Sequence, residues 1–152
     1  MKTLVIDESR AKQIYPGAST EFKAILEDTF TKQFFSRNTD LIKSYEDACE
    51  VLGIDPAEQY CGRHDSPDEI AYKKLKVIIR ALNEEWTPDW NNGSQAKWWN
   101  WFYFDSPGFR FNYAYYDYSY SYVGSRLCFR SRELSEYCAK QFIDLYKQFY
   151  TL

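Results

Sequence analysis

Between Trp98 and Phe129 the chain carries fifteen aromatic residues in thirty-two positions, half of its thirty. Many of these rings alternate with polar residues. A strand points successive side chains to opposite faces, so this pattern predicts antiparallel strands with at least one heavily aromatic face. Strands are expected over Trp99–Phe104 and Phe109–Tyr115, joined by the turn sequence Asp105-Ser106-Pro107-Gly108. In the second strand Phe109, Phe111, Tyr113 and Tyr115 share one face opposite Arg110, Asn112 and Ala114. The phase then reverses, and Tyr116, Tyr118, Tyr120 and Tyr122 alternate with Asp117, Ser119 and Ser121. One straight strand cannot hold both sets on one face. A turn or bulge is therefore expected near Tyr115-Tyr116 if both face the core. A last strand is expected over Arg126–Arg130.

The flanking segments read mostly as helices. Thr3–Asp7 has the alternation of a short strand, and a helix is expected over Ala18–Phe35 with Phe22, Ile25, Leu26, Thr29 and Phe30 inward. A shorter helix runs from Ser44, with Asp47 three residues on as a cap partner, to Leu52 and the stop at Gly53. Ser66, Pro67 and Glu69 form a strong start signal. That helix turns Ala71, Leu75, Ile78, Ile79 and Leu82 inward and ends near Trp86. Ser131 caps a final helix with Leu134, Cys138, Phe142, Leu145 and Phe149 on its inner stripe. The fold class is α+β: N-terminal helices packed on a small aromatic-rich antiparallel sheet, closed by a C-terminal helix. Its 152 residues suffice for a single domain, 1–152, without disulfides or metals.

The net charge is −3, from 19 basic and 22 acidic residues, with no long run of one sign. Duplex DNA binding needs a cationic face, so this balance disfavours it. The N-terminus MKTLVIDESR has no signal-like apolar region, and no stretch approaches eighteen apolar residues. The expectation is a cytoplasmic protein without membrane contact. Cys49, Cys61, Cys128 and Cys138 are too widely spaced for a recognisable disulfide framework and suit free thiols.

Three segments carry a resemblance. Ala81-Leu82-Asn83-Glu84-Glu85-Trp86-Thr87-Pro88-Asp89-Trp90, the tryptophans within Lys97–Phe102, and Gly124-Ser125-Arg126-Leu127-Cys128-Phe129 with Glu133-Leu134-Ser135-Glu136-Tyr137 resemble uncharacterised small proteins of phages and mobile elements in Bacteroides-type gut bacteria. Tyr45-Glu46-Asp47-Ala48-Cys49-Glu50-Val51-Leu52-Gly53 fits the same family, so the resemblance spans about residues 40–150. It implies a phage or mobile-element source and a bacterial host cell as the location. It transfers no active residue.

Few residues suggest catalysis. His64 is the sole histidine; Cys61-x-x-His64 has local ligand spacing but lacks the further ligands of a zinc site, and as a nucleophile pair it lacks an orienting group. Glu84, Glu85, Asp89, Asp105 and Asp117 offer carboxylates near turns, and a small hydrolase built on them needs two converging in a cleft. No phosphate-binding glycine loop or dinucleotide fingerprint occurs. No catalytic, cofactor or metal residues are therefore assigned.

The binding candidates combine rings with cations: Lys97 with Trp98, Trp99 and Trp101, then Arg110, Arg126 and Arg130, with Tyr116 and Tyr118 as a further stacking surface. With the phenylalanines of the second strand inward, Arg110 points outward, and adjacent strands would present it with Arg126 and Arg130 as one anion-binding patch. The leading expectation is a non-enzymatic accessory protein that binds a host or phage protein through the aromatic sheet surface. The rival is a binder of single-stranded nucleic acid or a small nucleotide, with rings stacking on bases and cations meeting phosphates. One side of the sheet is expected to meet Phe22/Phe30 and Leu75/Leu82, and the other to stay partly open or to pair in a homodimer.

Overall fold

Most of the longer helices start where the sequence supplies a capping side chain, as seen in the computed structural model, which describes residues 5–57, 64–84, 86–106, 108–120 and 127–152. The chain divides into two compact units, residues 1–40 and 41–152.

In the first unit, α1 (Glu8–Ile14) begins where Asp7 Oδ1 accepts the Arg10 N–H at 2.8 Å. The described end of the expected Thr3–Asp7 strand is thus a helix cap, and residues 1–4 lie outside the described set. α2 (Thr20–Phe30) starts at Ser19, whose Oγ accepts the Phe22 N–H. It is shorter than the expected 18–35, because Thr31 takes φ 70°, ψ 152°, an unusual conformation for a β-branched residue, and a 3-10 turn Gln33–Phe35 follows. Of the expected inward stripe Leu26 is buried, but Ile25 is 59% exposed. Phe30 packs locally on Phe34 and Phe35, and Phe35 stacks on Tyr15 at 4.0 Å.

α3 (Asn38–Leu41) is a single turn. α4 (Tyr45–Leu52) carries the expected capping box: Ser44 Oγ accepts the Asp47 N–H at 3.0 Å, and Asp47 Oδ2 accepts the Ser44 N–H at 2.8 Å. Gly53 ends it in the left-handed region at φ 63°, a conformation that glycine adopts without a Cβ penalty. α5 (Pro67–Asn83) starts where Glu69 accepts the Ser66 N–H at 2.7 Å. Its expected inner residues Ala71, Leu75, Ile78, Ile79 and Leu82 are all buried. The helix stops at Asn83, before the expected Trp86, because Glu84 leaves helical space at φ 57°.

β1 (Lys97–Asp105) and β2 (Gly108–Asp117) form an antiparallel two-stranded sheet. Trp101 pairs with Tyr113 and Phe102 with Phe111, which leaves Asn112 as an extra residue. No bulge falls at Tyr115-Tyr116, where pairing runs regularly from Trp99–Tyr115 to Trp98–Tyr116; the register shifts at Asn112 instead. A bulge moves one residue's worth of side chains to the other face. Phe109 and Phe111 therefore share the inner face with Trp98, Asn100, Phe102, Ala114 and Tyr116, while Tyr113 and Tyr115 turn to the outer face with Lys97, Trp99, Trp101, Tyr103 and Arg110. The four-ring face expected from Phe109 to Tyr115 is split between the two sides.

The expected last strand is reduced to one bridge. Phe129 exchanges backbone hydrogen bonds with Trp98 at 2.8 and 2.9 Å, and Arg126 lies outside the described residues. The buried Asn83 amide takes the place of a further strand: Nδ2 donates to the Cys128 carbonyl at 2.7 Å and Oδ1 accepts the Arg130 N–H at 3.0 Å. Because Trp98 turns both backbone groups to Phe129, the order across the sheet is β2, β1, Phe129.

The closing helix is two helices, α6 (Arg132–Gln141) and α7 (Ile143–Thr151), broken at Phe142 with φ −115°, ψ 32°. Both pack on the sheet's inner face, and α5 packs behind them with α4 beyond. Leu75, Leu82, Leu127, Phe129, Leu134, Cys138, Phe142 and Tyr146 meet in one core. The inner cover of the sheet comes from α6 and α7, as Phe102 shows by packing on Tyr146 at 4.7 Å and Tyr150 at 5.8 Å. Tyr72 of α5 stacks on Phe149 of α7 at 5.3 Å. Among the described residues no helix is long and apolar enough to cross a membrane.

Candidate functional site

The outer face of the hairpin leaves a contiguous set of four large rings open. Trp101, Tyr103, Tyr113 and Tyr115 are each 43–50% exposed. Register makes them neighbours: Trp101 lies across from Tyr113 with ring centroids 6.5 Å apart, and Tyr115 stands edge-on to Tyr113 at 6.2 Å. Tyr115 also meets the buried Trp99 across the strands at 5.8 Å. The 83° angle between Tyr113 and Tyr115 breaks any flat platform and gives the face relief.

Both cations that β1 and β2 place on this face are committed. Arg110 pairs with Asp105 through both carboxylate oxygens, and its guanidinium lies 4.5 Å from the Tyr103 ring centroid. Lys97 is 1% exposed. Its ammonium donates to the carbonyls of Gln95 at 2.9 Å, Tyr118 at 3.0 Å and Asn92 at 3.4 Å, and sits 5.2 Å from the Trp90 ring. Lys97 thus ties the 88–96 loop to the end of β2, and the carbonyls replace its lost hydration.

The other sequence candidates are dispersed. Trp98 lies on the inner face, half-buried, with its ring 4.8 Å from Tyr116. Tyr116 and Tyr118 are exposed and their rings meet at 5.6 Å, while a hydrogen bond with Tyr116 raises the Tyr118 phenol above its ordinary value. Tyr120 is more open still, and Tyr122 lies outside the described residues. Arg130 pairs with Glu84 at 2.8 Å. Arg110 and Arg130 are not brought together. Arg110 sits opposite Tyr103 near the hairpin turn, whereas the Phe129 bridge is at Trp98, five residues or about 17 Å back along β1. Arg126 lies outside the described residues, so its share in the patch does too.

The acids serve structure. Glu84 and Asp105 are in the ion pairs above, Asp89 accepts the Asn91 N–H, and Glu85 is outside the described residues. Asp117 is held below the ordinary carboxylate range chiefly by the Ser119 N–H, with help from Tyr118. His64 is exposed and Cys61 lies outside the described residues. Among the described residues no three metal-ligating side chains converge. Among the described residues Cys49, Cys128 and Cys138 are buried.

Of these four rings the sequence offers Trp101, beside Lys97, Trp98 and Trp99, as a binding candidate, and it does not offer Tyr103, Tyr113 or Tyr115. The alternation Trp99, Trp101, Tyr103 carried half of the signal, but the partner half depends on the bulge at Asn112, which no local residue pattern announces. Comparison with protein-family models, with curated proteins and with solved structures finds no match for this chain.

Proposed function

We propose that the protein is a non-enzymatic accessory protein that binds a protein partner through the outer aromatic face of the β1–β2 hairpin. The observation that carries this reading is the set Trp101, Tyr103, Tyr113 and Tyr115, half exposed and contiguous, beside Arg110 neutralised by Asp105. Aromatic rings with an internally paired arginine are the composition of protein interfaces, where tyrosine and tryptophan give large contact area at low entropic cost. A phage or mobile-element source, as the sequence resemblance implies, makes a host or phage protein the partner.

Binding of single-stranded nucleic acid or a nucleotide is less favoured. It needs cations free to meet phosphates beside the rings, whereas Arg110 is clamped and Lys97 is enclosed by carbonyls. A carboxylate hydrolase is less favoured again, since the described acids named for it hold ion pairs or turns.

The test is a photo-crosslinking side chain at Tyr103, which stands on this face but on β1. In producing cells it is expected to trap a distinct polypeptide, and Trp101→Ala is expected to remove the adduct while leaving the fold intact. The trapped partner, purified, should bind the protein at least tenfold more weakly after Trp101→Ala. No adduct at Tyr103 above that from the reagent-free protein would overturn the reading.

A further inference from the structure

We infer that the outer edge of β2 pairs with the same edge of a second copy about a two-fold axis at Ala114, giving a four-stranded sheet in the order β1, β2, β2, β1. The inference concerns an edge, and it stands whether or not the outer face binds another protein.

Backbone direction supplies the first argument. Trp98 turns its N–H and carbonyl to Phe129, so its partner Tyr116 turns its own away from β1. By the alternation of an antiparallel ladder Ala114 does the same, and beyond the bulge so do Phe111 and Phe109. Among the described residues no backbone hydrogen bond satisfies this edge. A row of donors and acceptors at strand spacing is matched best by another strand.

Self-complementarity supplies the second. Ala114 opposite Ala114 of the second copy sets Tyr113 opposite Tyr115, and with Asn112 bulged on both copies it sets Phe111 opposite Tyr116 and Arg110 opposite Asp117. Each pair agrees in the direction of its backbone groups. Each also agrees in face: Tyr113, Tyr115, Arg110 and Asp117 are outer, and Phe111, Tyr116 and Ala114 inner. The bulge is what allows this, because without it Arg110 and Asp117 would fall out of register. The charges are complementary twice over. Asp105 and the second copy's Asp117 would flank each Arg110, whose five N–H donors suffice for both. The smallest side chain of the central stretch sits on the axis.

Area sets the strength. The half-exposed Tyr113, Tyr115 and Tyr116, together with the edge backbone, offer well under the roughly 800 Å² per partner of a standard interface. The dimer is therefore weak, with dissociation expected at roughly 10–100 µM.

Sedimentation of the full chain from about 5 to about 500 µM tests this. The wild type should pass from monomer to dimer. Tyr113→Lys with Tyr115→Lys sets lysine against lysine across the axis twice and should weaken association at least tenfold. Tyr113→Lys with Tyr115→Glu sets each lysine against a glutamate and should restore it. A wild type monomeric throughout overturns the inference, as does a double-lysine variant that still dimerises, since the contact then lies elsewhere. A lysine–glutamate variant that fails to associate while circular dichroism shows it folded overturns the Ala114 register. A monomer that still gives the Tyr103 adduct would sink the dimer and leave the partner reading standing; a dimer without the adduct would do the reverse.

Discussion

Asn100 on β1 donates from Nδ2 to Tyr146 Oη on α7 at 3.2 Å, and its Oδ1 accepts from Ser135 Oγ on α6 at 2.7 Å. Tyr146 in turn donates to Cys138 Sγ at 3.8 Å. All four side chains are buried, so this chain of hydrogen bonds pins the sheet to both closing helices in one arrangement.

Asn100→Ala should cost about 2–4 kcal/mol, because it strands the Ser135 and Tyr146 hydroxyls away from water. Tyr146→Phe keeps the ring against Phe102 and should cost only about 1–2 kcal/mol. Denaturant unfolding of both variants checks this. In the double variant the two effects should fall short of adding, since they share a bond.

The thiols predict an alkaline limit. Burial pushes Cys138 from 9.0 up to about 12 and Cys128 up to about 11, where Lys97 partly offsets it. Groups raised in the folded state favour folding fully below pH 9, and that advantage is lost as pH rises through 11 and 12. Unfolding free energy should therefore decline above pH 9, and replacing Cys138 by Ala should flatten part of the decline. Iodoacetamide at pH 8 should leave the Cys128 and Cys138 peptides unlabelled until denaturant is added; prompt labelling would contradict their enclosure.

Lys97→Met should destabilise by about 2–4 kcal/mol, since the Gln95 and Tyr118 carbonyls lose their shared donor in a buried place. Lys97→Arg should not rescue it, because a planar guanidinium cannot occupy a point-charge site between three carbonyls. Unfolding midpoints and the fluorescence of Trp90, which lies over the ammonium, report the outcome.

At the start of α4, Asp47 is held below the ordinary carboxylate range, first by the Lys43 N–H and then by Ser44. A carboxyl lowered on folding contributes its stability above its unfolded value and loses it as pH falls through the folded one. Asp47→Asn should weaken the protein at neutral pH and remove that part of the acid dependence below pH 4. Ser44→Ala should cost about 1 kcal/mol. Thermal unfolding between pH 2 and 7 distinguishes the two.

Local signals were legible wherever one residue's chemistry decides a backbone event. Ser44 with Asp47, Gly53, Ser66 with Glu69, and Ser131 mark helix ends whose hydrogen bonds close within four residues. The apolar spacing from Ala71 to Leu82 and the aromatic alternation of β1 likewise reveal an inner helix face and a strand, because side-chain direction follows backbone period. Where a periodic pattern runs on without a stop signal, as over residues 18–35, it overruns the true end at Phe30.

What only the tertiary structure decided depends on partners distant in the chain. Asn112 bulges because β1 holds Tyr113 and Phe111 in different registers, and that single extra residue chooses which rings are core and which are open. Asn83 completes the Cys128–Arg130 segment from forty-five residues away, where local sequence suggests a strand. Lys97 looks like a surface cation by type, yet carbonyls from two loops meet around it and take it inside. Sequence by itself determined an α+β chain with capped helices and an aromatic hairpin; the faces of that hairpin were settled by cross-strand pairing, since register is a property of two strands and is written in neither alone.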